Sequence, residues 1–130
     1  MFSHLFRNTV YIKIRANRFD LRHIEADQSI SVVATEQFTT ARLLIGQFSN
    51  AETLLRDALQ QLLQPHWILI RPLVVLHPLA MTEGGLSQIE ERALMELSAS
   101  AGARKTRLWL GPELSDQKVL TKAKEIQQAV

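Results

Sequence analysis

Three segments decide the fold: Arg71-Pro-Leu-Val-Val-Leu-His-Pro78, Leu86-Ser-Gln-Ile-Glu-Glu-Arg-Ala-Leu94 and Ala101-Gly-Ala-Arg-Lys-Thr-Arg-Leu-Trp-Leu110. The first has four consecutive apolar residues, which is typical of a central strand covered on both faces. The second has the spacing of an amphipathic helix, with a capping box at Ser87 and Glu90 and a C-cap at Gly102. The third predicts another strand. This unit needs a right-handed crossover, so its two strands are expected to be parallel.

The first third of the chain has the two-residue period of strands. Residues 10–15 alternate apolar and polar side chains, Asn17 can take the positive φ of a tight turn, and residues 19–24 alternate again. A third strand is predicted from Ile30 to Thr35, where β-branched residues cluster. Together these segments predict a three-stranded meander.

Two further helices are predicted. Residues 51–63 carry one apolar stripe, preceded by a possible capping box at Ser49 and Glu52, and Ser115 is positioned to cap a last helix. The predicted order is βββαβαβα. It corresponds to an α/β (α+β) fold with a five-stranded mixed sheet and three helices. Residues 1–130 are interpreted as a single domain.

Composition excludes some classes of function. The chain has 130 residues, of which 46% are hydrophobic, and no cysteine, which excludes disulfides and thiolate metal sites. Neither a membrane-spanning run nor a secretory signal is recognised, so a cytoplasmic location is expected. The formal net charge of +2 is small for a dedicated nucleic-acid binder.

The chain resembles two families. Tyr11-Ile-Lys-Ile-Arg15, Arg42-Leu-Leu-Ile45 and residues 81–92 are similar to the YjaA family, small enterobacterial proteins of unassigned chemistry. Residues 71–113, in interrupted segments, more distantly resemble the first subdomain of MreB, a bacterial actin homologue. That resemblance implies half of an actin-like, ribonuclease H-like fold.

The first strand departs from the MreB pattern at the positions that matter for chemistry. The resemblance places Lys13, Arg15 and Ala16 where actin-like ATPases have an aspartate, a glycine and a small hydroxyl residue. A lysine cannot ligate Mg²⁺, and Arg15 prevents the close backbone approach of a phosphate loop. Glu90 falls where MreB has the glutamate that positions water, but it also fits the cap beside Ser87. A degenerate actin-like domain with no catalytic residue, cofactor or metal is therefore expected.

Two candidate sites remain. Lys13, Arg15, Arg18 and Arg22 concentrate positive charge on the predicted hairpin, where they form either a patch for an acidic partner or a solvated sheet face. Glu83, Gly84, Gly85 and Ser87 form a short loop before a helix, where an anion can bind free amides, although Glu83 would repel it.

The histidines and the N-terminus carry weaker signals. His4, His23, His66 and His77 lack the spacing of a helical or finger metal site, and His77 is expected at the surface. A membrane contact is expected to be at most peripheral, through the apolar residues Phe2, Leu5 and Phe6 beside Arg7.

The leading functional interpretation is a non-enzymatic cytoplasmic protein that acts through protein contacts, as a homodimer or with another protein, in a stress-related or cell-shape-related role. Val32, in the uncharged strand predicted at the sheet edge, is the proposed dimer contact. The alternatives are a small-ligand or nucleotide-binding regulator that uses the Glu83–Ser87 loop, and a nucleic-acid-binding module that uses the basic hairpin.

Overall fold

The computed structural model describes residues 8–64 and 71–128, which form one five-stranded sheet with helices on both faces. The strands are β1 (Thr9–Arg15), β2 (Arg18–His23), β3 (Gln28–Val33), β4 (Leu73–Pro78) and β5 (Lys105–Leu108). The helices are α1 (Phe48–Leu63), α2 (Gln88–Ala101) and α3 (Asp116–Gln128). The predicted element order and the mixed sheet are confirmed.

The sheet order is β3-β2-β1-β4-β5, so β1 lies at the centre and β3 and β5 are the edges. β1 and β2 are antiparallel, as are β2 and β3, whereas β1, β4 and β5 are parallel. Ile12 in β1 is opposite Leu21 on one side and Leu76 on the other. The predicted meander and crossover therefore meet at β1.

The two faces of the sheet have different coverings. Val10, Ile12 and Ile14 point towards α1 and α2 and belong to the larger core cluster. Tyr11 and Val75 point the other way and pack against Val119 of α3 in a smaller cluster. Among the described residues, α3 packs over β1, β4 and β5 and leaves most of β2 and β3 uncovered on that face.

The β1–β2 turn also anchors the loop that follows β3. Asn17 has a φ of 56°, as predicted, and its Oδ1 accepts hydrogen bonds from the amides of Phe38 and Thr39 at 2.8 and 2.9 Å. The Phe38 ring is fully buried and stacks on Phe19 with a centroid distance of 4.8 Å. One turn residue thus positions the loop that closes the core beside β2.

The predicted capping box of the first helix is wrong. Helix α1 begins at Phe48, and its N-cap residue, Gln47, makes no side-chain capping bond. The amides of Gly46 and Gln47 both donate to the carbonyl of Phe38, which fixes the direction in which the chain enters the helix. Ser49 therefore already lies within α1.

The second helix matches the prediction at its ends but not along its face. Ser87 and Glu90 form the predicted capping box, and Gly102 is the C-cap with a φ of 127°. Ile89, expected in the apolar stripe, is 81% exposed, because the buried stripe is formed by Leu94, Leu97, Ser98 and Ala101.

Two strand boundaries also differ. β3 begins and ends two residues earlier than predicted, because Asp27 with a φ of 53° completes the turn from β2. β5 ends at Leu108, beyond which the indole of Trp109 donates to the carbonyl of Pro112 in a turn. Neither shift changes the order of the strands.

Candidate functional site: the open face and the β3 edge

The candidate site is the part of the sheet that α3 leaves uncovered, which we call the open face. It forms a concave region of about 590 Å³, bordered on one side by Leu114 and Asp116 at the start of α3. The side chains that β1, β2 and β3 direct onto it are mainly polar: Lys13, Arg15, Arg18, Asp20, Arg22, Ser29 and Ser31. The structure thus brings the four predicted cationic residues together on one surface.

Each of these four cations has a carboxylate partner. Lys13 lies 3.0 Å from Glu113, while Arg15 and Arg18 both bind Asp20, at 3.2 and 2.9 Å. Burial raises the pKa of Asp20, but the hydrogen bonds from Ser31, Arg18 and Arg15 outweigh it and leave the pKa lowered. Asp20 therefore stays ionised and offsets one of the two positive charges at this end of the face.

Arg22 connects β2 to the start of α3. Its Nε and Nη2 atoms bind the two carboxylate oxygens of Asp116, each at 2.8 Å, and Nη2 also binds Asp27. The hydrogen bond from Arg22 lowers the pKa of Asp116, and the hydrogen bond from Asp116 raises the pKa of Arg22. The open face is thus a network of paired charges rather than a patch of free cations.

The β3 edge borders the open face. The amide of Ala34 donates to the carbonyl of Asn17, and this fixes which residues of β3 turn their backbone groups towards β2. In an antiparallel pair such residues alternate, so Ser29, Ser31 and Val33 direct their N–H and C=O groups away from the sheet. Among residues 8–64 and 71–128, no hydrogen bond reaches these outward backbone groups.

Strand β3 carries no charged side chain along its six residues. Val33 lies on the open face and is 66% exposed. Val32, a predicted contact residue, is instead half-buried and packs against the core on the opposite face, as does Ile30. The exposed apolar residue at the edge is therefore Val33, because alternation turns Val32 inward.

A buried polar network supports the loop beside the open face. The Tyr11 hydroxyl lies 2.7 Å from Nδ1 of His77, and Nε2 of His77 lies 2.9 Å from the carbonyl oxygen of Gly111. The Leu114 amide donates to the Tyr11 hydroxyl at 3.2 Å. His77 is 1% exposed, so the prediction of a surface histidine is wrong.

The pKa values of this network show that both rings are neutral near pH 7. Burial lowers the pKa of His77 and raises that of Tyr11. A neutral His77 with its proton on Nε2 donates to Gly111 and accepts from Tyr11. With every polar atom satisfied inside the protein, the geometry favours a structural role over proton transfer.

In the Glu83–Ser87 loop, the residues Glu83, Gly84, Gly85 and Ser87 are exposed. The φ values of Gly84 and Gly85 are 78° and 88°, which explains the two glycines as turn formers. Glu90 already accepts a hydrogen bond from the Ser87 amide, and Ser87 Oγ accepts one from the Glu90 amide. An anion would have to compete with this capping box.

The described part of the chain has no group of three or more His, Cys, Asp or Glu residues arranged to hold a metal ion. Within it, no helix has the length and apolar character needed to cross a membrane. Phe2, Leu5, Phe6, His4, Arg7 and His66 lie outside the described residues.

A small apolar groove was not predicted. It lies between the loop before α1 and the start of α2, with Leu43 and Ile89 exposed at its rim. The one signal for it in the sequence is that Ile89 lies more than one helical turn before Leu94, where the buried stripe of α2 begins.

Comparison with known proteins identifies a relative but assigns no activity. The chain is 40% identical over 106 residues to the uncharacterized protein YjaA of Escherichia coli (strain K12), covering 77% of this chain and 81% of that protein. The chain belongs to the YjaA family. The resemblance to YjaA predicted from residues 11–15, 42–45 and 81–92 is thereby confirmed. No protein-family model matches the chain.

Proposed function

We propose that this member of the YjaA family is a non-enzymatic cytoplasmic protein that acts through protein contacts at the β3 edge and the adjoining open face. One observation carries the proposal: on an edge strand without charge, the outward backbone groups of Ser29, Ser31 and Val33 accept or donate no hydrogen bond within the described part of the chain. Exposed strand edges are usually protected by charges, proline, bulges or a covering segment. Such an edge is suited to pairing with another strand.

The proposal includes a degenerate actin-like origin, with a stress-related or cell-shape-related role. The meander on one side of β1 and the parallel strands on the other support this origin. Lys13, at the position of the metal-binding aspartate in the MreB resemblance, is held by Glu113, and Arg15 is held by Asp20. These pairings argue against a phosphate and metal site at this position and so support a non-enzymatic role.

The two alternative functions have less structural support. A nucleic-acid-binding surface needs cations that are available to phosphates. Lys13, Arg15, Arg18 and Arg22 instead face Glu113, Asp20, Asp27 and Asp116, which balances the charge of the network. A ligand-binding regulator that uses the Glu83–Ser87 loop would need amides that are not already occupied by the α2 capping box.

Cross-linking in the source cells, followed by affinity purification and mass spectrometry, tests the proposal. Ser31→Lys places a charge on the β3 edge, and Gln61→Lys places the same charge on the exposed surface of α1 as a control. We expect the wild type and Gln61→Lys to cross-link to a specific protein, which can be a second copy of the chain. Ser31→Lys should lose this cross-link. Identical cross-linked proteins for all three would contradict the proposal.

Direct binding assays test the alternatives with the same proteins. We expect calorimetry with ATP and Mg²⁺ to show no binding, and fluorescence anisotropy with DNA or RNA to show no strongly salt-dependent binding. A micromolar Kd for ATP that Ser87→Ala weakens would support the ligand-binding regulator. Steep salt dependence that Arg18→Ala reduces would support the nucleic-acid module.

A further inference from the structure

We propose that the partner of the β3 edge is a second copy of this chain, paired antiparallel about a two-fold axis at Ser31. This inference rests on the proposed function and specifies its partner. The two sheets would join through β3 into one continuous sheet. This arrangement is inferred from three features of β3: its outward backbone groups, the side chains on its two faces, and the charges on the neighbouring strand.

The backbone determines the register. In an antiparallel pair, residues with facing backbone groups exchange two hydrogen bonds. An axis at Ser31 pairs Ser31 with Ser31 of the second copy and pairs Ser29 with Val33 in both directions. All three outward residues of each strand are then bonded, with about six hydrogen bonds in total. An axis at Ile30 or Val32 leaves one outward residue without a partner in the other β3.

The side chains fit the same register. On the core side, Ile30 lies opposite Val32 of the second copy, and the reverse pair forms across the axis. Both residues are half-buried β-branched side chains that pack against the core, so the pairing extends the apolar layer. On the open face, Val33 lies opposite Ser29 of the second copy, and the two Ser31 residues lie opposite each other at the axis. Each Ser31 hydroxyl keeps its hydrogen bond to Asp20 of its own copy.

A second copy fits this edge because a two-fold contact brings each residue close to its own equivalent. A charge at or near the axis would therefore meet a like charge, and β3 has none from Gln28 to Val33. The charged residues of β2 on the open face, Arg18, Asp20 and Arg22, are each paired with an opposite charge within one copy. Self-pairing is thus free of the like-charge contacts that usually protect a strand edge.

Cysteine substitution tests the register, since the natural chain contains no cysteine. Residues opposite one another in a hydrogen-bonded pair have Cα atoms about 5.5 Å apart, which a disulfide can bridge. Ser31→Cys should form a disulfide-linked dimer under mild oxidation at least about tenfold faster than Gln61→Cys, an exposed control on α1. This rate difference reflects the high effective concentration of preassembled groups.

Two further variants separate this register from random collision. Val33 lies about 13 Å along the strand from Val33 of the second copy, so Val33→Cys alone should not exceed the control rate. Ser29→Cys alone should behave in the same way, whereas a mixture of Ser29→Cys and Val33→Cys should cross-link rapidly. Rapid self-cross-linking of Val33→Cys, or cross-linking of Ser31→Cys at the control rate, would overturn the proposal.

Sedimentation equilibrium separates failure of this inference from failure of the proposed function. The wild type should be a dimer at high micromolar concentration, and Ser31→Lys should raise the dissociation constant by at least about tenfold through like-charge repulsion at the axis. Gln61→Lys should match the wild type, and circular dichroism should show that all three are folded. A monomeric wild type would overturn the dimer, but the proposed function would stand if Ser31→Lys still lost a different cross-linked protein.

Discussion

The hydroxyl of Tyr11 and Nδ1 of His77 lie 2.7 Å apart beneath α3, where they join the central strands β1 and β4. The same hydroxyl accepts a hydrogen bond from the Leu114 amide, and Nε2 of His77 contacts the Gly111 carbonyl. The network therefore fixes the loop between β5 and α3, which supplies Glu113 to Lys13 and borders the open face.

Tyr11→Phe should lower the free energy of unfolding by about 1–3 kcal/mol, since it leaves Nδ1 of His77 and the Leu114 amide without their shared partner. The aromatic ring and its packing are retained. Urea unfolding monitored by circular dichroism measures the effect. Thr53→Ala, which removes an exposed hydroxyl from α1, should change the free energy by no more than about 0.5 kcal/mol. Equal effects of the two substitutions would show that the network does not stabilise the fold.

His77 should make the protein less stable as the pH falls from about 7.5 to 5.5. Burial lowers its pKa in the folded state, with Lys13 and Arg15 acting in the same direction and the Gly111 carbonyl and Glu113 opposing. The unfolded chain, with a usual histidine pKa of about 6.5, therefore binds the proton first. The stabilising effect is complete above this value and is lost as the pH falls below it.

The matched comparison is His77→Gln, which removes the titrating ring. The pH dependence of its unfolding free energy should be shallower than that of the wild type over this range. Asp20, Glu113 and Asp116 also have lowered pKa values, and because the usual pKa of such carboxyl groups already lies below this range, they do not affect this window. Parallel curves for the two proteins would contradict the assignment of a neutral, buried His77.

Leu59→Ala should lower the free energy of unfolding by about 2–5 kcal/mol, because the side chain is fully buried between α1 and the sheet and its removal leaves a cavity. Gln61→Ala, two residues away on the exposed side of α1, should change it by no more than about 0.5 kcal/mol. Urea melts of both variants test the helix register. Similar losses of unfolding free energy would show that the core-facing residues of α1 are assigned incorrectly.

Substitutions of Asn17 should destabilise in the order Asp, Gly, Ala, from least to most. Asn17→Asp keeps an acceptor for the amides of Phe38 and Thr39, whereas Asn17→Gly loses it but still adopts the φ of 56°. Asn17→Gly should cost about 1–2 kcal/mol from the two lost hydrogen bonds. Asn17→Ala should cost roughly 1 kcal/mol more because its Cβ disfavours positive φ. Thermal melts that place Ala above Gly in stability would contradict this account.

Local chemistry predicted much of the fold. The apolar run from Leu73 to Leu76 predicted the buried strand, Asn17 predicted the turn, and Ser87 with Glu90 predicted the cap of α2. Each of these signals acts over a few residues. Ile89 was misplaced because helical periodicity does not decide which of two adjoining stripes faces the core.

The candidate site depended on contacts that local patterns do not contain. The sequence predicted the cations of the hairpin but not their partners, because Glu113 lies 100 residues from Lys13 and Asp116 lies 94 residues from Arg22. The burial of His77 required the position of α3 and the contact with Tyr11. The inward direction of Val32 depends on the register between β2 and β3, which the local sequence does not determine.

Amide hydrogen exchange of β3, measured by NMR at low and high protein concentration, tests the central claim that two copies pair through this edge. The outward amides of Ser29, Ser31 and Val33 have no partner within one copy among the residues that the structure describes, while the amides of Ile30 and Val32 face β2. The account predicts that the three outward amides exchange rapidly in dilute solution and become protected at high micromolar concentration. Rapid exchange of all three at every concentration, with Ile30 and Val32 protected throughout, would contradict it.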